Sequence, residues 1–137
     1  MGLTFDDIRT FLEWRTRGAR FDCILTLGRQ SFSLTVDDFR RLDLSVPVGY
    51  EPNGYLDDFF VDVLGAREVI ALDFSDFEGA RLKHDLNDAL AKEHWGRYDA
   101  VVDGGTLEHV FNVPVGAREL HARAEDRGPV LRCEPRE

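Results

Sequence analysis

Residues 98–112 read YDAVVDGGTLEHVFN, a short apolar run followed by an acidic residue, two glycines and a Glu-His pair. The apolar run, residues 100–102, is too short for a helix and rich in β-branched side chains, which predicts a parallel strand covered on both faces. Asp103-Gly104-Gly105 then follows, and its two glycines give the backbone conformational freedom at the carboxyl end of that strand. Ligands of open α/β sheets bind beyond such ends, so this turn is a candidate site. An ordinary Asp-Gly turn with a solvated Glu-His pair explains the same residues equally well.

The strands and helices predicted around this segment alternate. The expected strands are residues 21–27, 68–72, 80–83, 98–103 and 128–133. The expected helices are residues 4–18, 35–42, 55–64, 88–95 and 115–126, and residues 44–53 are expected to be a loop. Threonines followed by acidic residues, at Thr4 and Thr35, have the pattern of helix N-caps. The alternation predicts an α/β fold, a Rossmann-like, mostly parallel sheet of about five strands flanked by helices.

Length and composition limit the possible classes of protein. The 137 residues are expected to form one domain, residues 1–137, and no apolar run approaches the length of a membrane span. Residues 1–20 lack the pattern of a secretory signal, so we expect a cytoplasmic protein without membrane contact. The two cysteines, Cys23 and Cys133, lie in separate apolar segments and are expected to be buried and reduced.

The charge and the histidine spacing of the chain argue against two kinds of binding partner. A formal net charge of −9 without a basic stripe argues against nucleic acid as a partner. The four histidines lie in separate elements without zinc-site spacing, so no metal site is expected.

Three predicted strands end in acidic residues, Asp73, Asp85 and Asp103. A carboxylate after the second strand suits a ribose diol, because its oxygens can accept both hydroxyl protons. Asp85, followed by Leu86 and Asn87, could read the edge of a nucleobase. An acid at a strand end is also a routine helix cap, but its repetition at three ends favours a nucleoside site.

The order of these segments resembles the class I S-adenosylmethionine-dependent methyltransferases. ILTLG at residues 24–28 is similar to the family's first strand and glycine turn, VIALDFSD at 69–76 to the second strand with its ribose acid, and HDLN at 84–87 to the adenine loop. Residues 98–121 carry the closest similarity. The resemblance implies S-adenosylmethionine as cofactor, near Gly28, Asp73, Asp103 and Gly104, with Asp85, Leu86 and Asn87 near adenine.

The sequence departs from the family in two places. Its first motif has one glycine, Gly28, followed by Arg29, which could reach the cofactor carboxylate or block the pocket. The sequence given also lacks the family's C-terminal strand pair. We therefore expect either a sheet edge at residues 128–135 that self-associates or a shortened relative with lost or changed activity.

The resemblance suggests how methyl transfer to a small-molecule substrate would proceed. If the acceptor must lose a proton, His109 is the candidate base, with Glu108 as its orienter or as a second acid. Alternatively Glu108 faces the ligand while His109 caps or packs, and Asp103 either orients a ligand or stabilises its turn.

The leading hypothesis from the sequence is thus a small S-adenosylmethionine-binding, methyltransferase-like domain acting on a small molecule. Two alternatives remain, a noncatalytic relative that serves self-association or partner binding, and an enzyme of another reaction class in the same crevice.

Overall fold

A parallel β-sheet flanked by helices organises the chain, which confirms the α/β class expected from the sequence. The computed structural model describes residues 2–76, 79–94, 97–106 and 131–132. The elements in chain order are β1 (Gly2–Leu3), α1 (Phe5–Thr16), β2 (Cys23–Leu27), β3 (Ser31–Phe32), α2 (Val36–Arg41), α3 (Asp57–Asp62), β4 (Glu68–Asp73), β5 (Leu82–Lys83), β6 (Ala100–Asp103) and β7 (Leu131–Arg132).

Within the described residues, five strands form the main sheet in the order β5-β4-β2-β6-β7, and each neighbouring pair is parallel. Leu27 at the end of β2 pairs with Leu72 of β4 on one side and with Asp103 of β6 on the other. The carboxyl ends of the three central strands are therefore level. The chain order of the strands reverses direction at β2, so the crevice beyond Leu27 lies at the switch point of the sheet.

The sheet is covered on both faces because alternate residues of each strand point to opposite sides. On one face Ile24 and Val102 pack in a cluster with Phe11 of α1, Phe39 of α2 and Phe60 of α3. The cluster on the other face is formed by strand residues together with two residues of the segment that follows β5. Its members are Leu25, Leu27, Ile70, Leu72, Leu86, Leu90 and Val101.

The caps expected at the starts of α1 and α2 are confirmed. The Thr4 side chain accepts a hydrogen bond from the Asp7 backbone N–H, and the Asp7 carboxylate accepts one from the Thr4 backbone N–H. Thr35 and Asp38 repeat this reciprocal pattern at α2. Both helices therefore begin where their sequence predicts, since each cap satisfies two backbone groups that the helix cannot.

Three predicted elements are wrong in extent. The third helix covers only Asp57–Asp62 rather than residues 55–64 and ends at a C-cap on Val63. The strand expected at residues 80–83 is limited to Leu82–Lys83. Within the described part of residues 88–95 only a single 3₁₀ turn forms, at Lys92–His94. For residues 88–94 the reason is packing. Leu90 is buried against the sheet with Leu86, and this tertiary contact overrides the helix propensity of the segment.

A second, two-stranded sheet was not predicted. In it β1 pairs in parallel with β3, with Leu3 opposite Phe32. Two residues are too few for a periodic pattern, so this pairing left no sequence signal. This pairing joins β1, near the start of the chain, to β3, which follows the turn after β2.

The helix expected at residues 115–126 and Cys133 lie outside the described residues, as does most of the predicted strand at 128–133. The described helices are all too short or too polar to cross a membrane.

Candidate functional site

A cavity of about 280 Å³ lies beyond the carboxyl ends of β4 and β5, and we call it the Asp73 cavity. Its lining residues are Leu72, Asp73, Phe74, His84, Asp85, Leu86, Asn87 and Thr106. Its volume is near the lower end of the roughly 300–1,000 Å³ range of small-molecule sites. The structure therefore brings together Asp73, Asp85, Leu86 and Asn87, four of the residues selected from the sequence.

Asp73 is the last residue of β4 and is held from both sides. Its backbone carbonyl accepts a hydrogen bond of 2.8 Å from the His84 N–H, and its Oδ1 accepts one of 2.6 Å from the Phe74 N–H. Among the described residues Oδ2 has no hydrogen-bond partner. The carboxylate is thus oriented by the backbone, and its Oδ2 can accept a further hydrogen bond.

Asp85 and Asn87 form a compact polar pair after β5. Asp85 Oδ1 accepts hydrogen bonds from the Asn87 backbone N–H at 2.9 Å and from its Nδ2 at 2.8 Å. These two donors, with the backbone donor the larger cause, lower the pKa of the Asp85 carboxyl below its ordinary value. The Asp85 side chain therefore stays ionised and stabilises the loop that lines the cavity.

Four lining residues of this cavity were not selected from the sequence as site residues: Leu72, Phe74, His84 and Thr106. Phe74 directly follows Asp73 and is 69% exposed, unusual for a large aromatic ring. Thr106 comes from the far side of the switch point, where its Oγ1 donates to the Leu27 carbonyl over 2.7 Å. The signal for Phe74 was its position after a strand-end acid, whereas Thr106 reaches the cavity only because β6 neighbours β2.

Asp103 stabilises the turn at the end of β6. Its Oδ1 accepts hydrogen bonds from the Gly105 N–H at 3.1 Å and from the Thr106 N–H at 2.7 Å. The residue is buried and is not among the described residues that line the Asp73 cavity. Of the two roles considered for Asp103, the structure displays the turn-stabilising one.

Two glycines at the switch point serve different purposes. Gly28 has a φ of 74°, a left-handed conformation that favours glycine, and its N–H donates to the Leu72 carbonyl over 2.7 Å. Gly104 is needed for close approach, since a Cβ atom there would lie 2.1 Å from Oε1 of Gln30. The Gln30 side chain is buried and its Nε2 donates to the carbonyls of Leu27 and Gly28. The two turns are therefore packed directly against each other.

Arg29 contacts the start of α3 and is not among the described residues that line the Asp73 cavity. Its Nε and Nη2 lie 2.9 Å and 2.8 Å from Asp57 Oδ2, and its guanidinium sits 3.8 Å from the centre of the Tyr55 ring. A Cβ atom on Gly79 would lie 3.8 Å from Nη1. Arg29 is thus held at the start of α3 by Asp57 and Tyr55.

Glu108 and His109, the candidate orienter and base, lie outside the described residues. The described lining of the Asp73 cavity offers two carboxylates, an imidazole, an amide and a hydroxyl beside an aromatic ring. This set can accept and donate hydrogen bonds to a polar ligand and stack against a flat one. Comparison with known protein families, with curated proteins and with solved structures found no match to this chain.

Proposed function

We propose that this chain has a Rossmann-like fold and binds S-adenosylmethionine as a methyltransferase-like protein whose substrate is a small molecule. The observation that carries the proposal is the Asp73 cavity, which brings together two of the three acids selected at strand ends, Asp73 and Asp85, beyond the carboxyl ends of the strands, where such sheets bind ligands. In chain order the five strands of the main sheet are arranged 3-2-1-4-5, the order of the first five strands in dinucleotide-binding folds.

The polar groups of the cavity suit the adenosine part of this cofactor. Oδ2 of Asp73 can accept a hydrogen bond from a ribose hydroxyl, a charge-assisted contact that is stronger than a neutral one. Phe74 supplies an exposed ring at the cavity wall, against which a flat base can stack. Asp85 to Asn87 lie on the same wall and offer polar atoms to the base edge.

Asp73 gives the direct test of this proposal. Isothermal titration should detect binding of S-adenosylmethionine and S-adenosylhomocysteine, and Asp73→Ala should weaken it by about 2 to 4 kcal/mol through loss of one or two charge-assisted hydrogen bonds. Asp76→Asn is the matched control, because it changes the charge of an exposed residue that is not among the described cavity lining. Absence of binding of both ligands at millimolar concentration would refute the proposal.

One observation favours binding without methyl transfer as the second candidate. The turn after β2, assigned to the methionine end of the cofactor, is filled by Gln30 against Gly104, while Arg29 is paired with Asp57. Titration with adenosine separates the two candidates. If the methionine end is held, S-adenosylhomocysteine should bind much more tightly than adenosine, and equal affinities would support a site that reads the nucleoside alone.

A further inference from the structure

A second cavity, of about 240 Å³, is lined in part by Tyr55, the residue whose ring Arg29 contacts. We call it the Tyr50–Tyr55 groove. Its apolar lining consists of Phe32, Pro47, Val48, Tyr50, Tyr55 and Phe59. Its polar lining includes two exposed carboxylates, Glu51 and Asp58. The volume is below the roughly 300 Å³ of drug-sized sites, so it suits a small ring-bearing molecule.

The groove is built before any ligand arrives. The Tyr50 hydroxyl donates to the Leu34 carbonyl at 2.7 Å and accepts from the Leu34 N–H at 3.1 Å. The Tyr50 ring lies 4.9 Å from the Phe39 ring and 5.5 Å from the Phe32 ring, centre to centre. These contacts anchor the loop in the core, so a ligand would not need to order it.

The part of the loop that leads into α3 is also held in place, by backbone hydrogen bonds. The Asn53 N–H donates to the Phe32 carbonyl at 3.1 Å, and the Phe32 N–H donates to the Gly54 carbonyl at 3.3 Å. The Leu56 N–H donates to the Gln30 carbonyl at 2.9 Å, which connects the groove wall to the turn after β2.

Apolar surface remains in water at the rim of this fixed groove. Val48 is fully exposed and Tyr55 is 44% exposed. Clustered exposed apolar side chains beside a cavity are a mark of a binding site, because burying them on association is favourable. Two of the large hydrophobic residues exposed in the described chain thus border this one groove.

The charges around the groove determine what it can bind. Among its described lining residues none is Lys, Arg or His. Arg29, the neighbouring cation on the Tyr55 ring, is paired with Asp57 at 2.8 Å. Glu51 and Asp58 therefore leave a net negative charge beside aromatic rings, whose faces are themselves partly negative.

We infer that the Tyr50–Tyr55 groove binds a small aromatic molecule that carries one positive charge, an aryl-alkyl amine in chemical class. The ring of the ligand packs against the aromatic wall, and its ammonium group faces Glu51 and Asp58. The inference does not depend on which ligand occupies the Asp73 cavity.

Three probes of similar shape and different charge test this inference: 2-phenylethylamine, 2-phenylethanol and 3-phenylpropionate. Each is titrated into the ¹⁵N-labelled full chain and followed by NMR. The amine should shift the amide signals of Gly49, Tyr50 and Gly54 and bind about tenfold more tightly than the alcohol, from cation–π and weak ion-pair contributions combined. The carboxylate should bind most weakly.

A double variant isolates the charge contribution. In Glu51→Gln/Asp58→Asn the amine should lose its tenfold advantage and bind like the alcohol, whereas Asp62→Asn, on the same helix outside the described groove lining, should retain it. Equal affinities of all three probes in the unchanged chain would overturn the inference, as would shifts confined to other regions or no binding at millimolar concentration. Failure of S-adenosylmethionine to bind would refute the proposed function and leave this result unaffected.

Discussion

Gly104 sets the distance between the two turns at the switch point. In Gly104→Ala the added methyl group would meet the Gln30 amide oxygen at 2.1 Å, and Gln30 cannot easily move because it is 1% exposed and bound to two carbonyl groups. We expect this overpacking to lower the free energy of unfolding by about 1–3 kcal/mol. Urea denaturation followed by circular dichroism measures it.

A double-mutant cycle tests whether Gln30 is the cause. Gln30→Ala removes the clash and also two hydrogen bonds, so the single variant is itself destabilised. The double variant Gln30→Ala/Gly104→Ala should be more stable than the sum of the two single effects implies. Simple additivity would show that the methyl group is accommodated elsewhere.

At the scale of the element, Thr4 begins α1 through its reciprocal bonds with Asp7. Thr4→Ala should lower the free energy of unfolding by about 1 kcal/mol, because the Asp7 backbone N–H loses the side-chain oxygen that caps it. Thr16→Ala is the control at the other end of the same helix, where alanine's higher helix propensity should make the change neutral or slightly stabilising. Chemical denaturation of both variants gives the comparison, and equal losses would refute a specific capping role.

At the scale of the whole molecule, hydrogen-bonded carboxylates contribute to the pH dependence of stability in acid. Hydrogen bonds to Asp22, Asp38 and Asp85 lower the pKa of each carboxyl. Their main donors are Arg20, Thr35 and Asn87, in that order. Since the folded chain binds these protons more weakly than the unfolded chain, the stability that these carboxylates contribute is fully present above about pH 5 and is lost as the pH drops through the lowered pKa values.

This acid dependence has a direct measurement. Urea unfolding between about pH 2.5 and pH 6 should give midpoints that decrease with falling pH. The difference in stability between the unchanged chain and Asp85→Asn should be constant above about pH 5 and shrink in acid, because only the unchanged chain has this carboxyl to protonate. A difference that grows in acid would mean that the sign of the Asp85 shift is wrong.

Periodicity and capping patterns predicted most of the central framework. The strands at Cys23–Leu27, Glu68–Asp73 and Ala100–Asp103 were recognisable because each is a buried apolar run that ends at a glycine or an acid. Residues 88–94 were misread, since helix-forming residues there pack against the sheet without forming an α-helix. Local propensity cannot compete with burial of Leu90 in that position.

Part of the candidate site could likewise be predicted from the sequence, and part could not. Asp73 and Asp85 could be selected from sequence because strand ends are visible as breaks in apolar runs. The path of Arg29 to Asp57 and the packing of Gln30 on Gly104 could not, since both join residues whose neighbourhood depends on how the strands are ordered. The Tyr50–Tyr55 groove was likewise hidden in a loop without periodicity.

By itself the sequence determined the α/β class, the helix starts at Thr4 and Thr35 and the acids at the strand ends, because these features depend on near neighbours in the chain. The tertiary structure alone decided that Thr106 joins Asp73 in one cavity and that Arg29 turns toward Tyr55. Such contacts arise from the placement of β2 between β4 and β6, and long-range strand pairing is set by packing of the whole core rather than by any local segment.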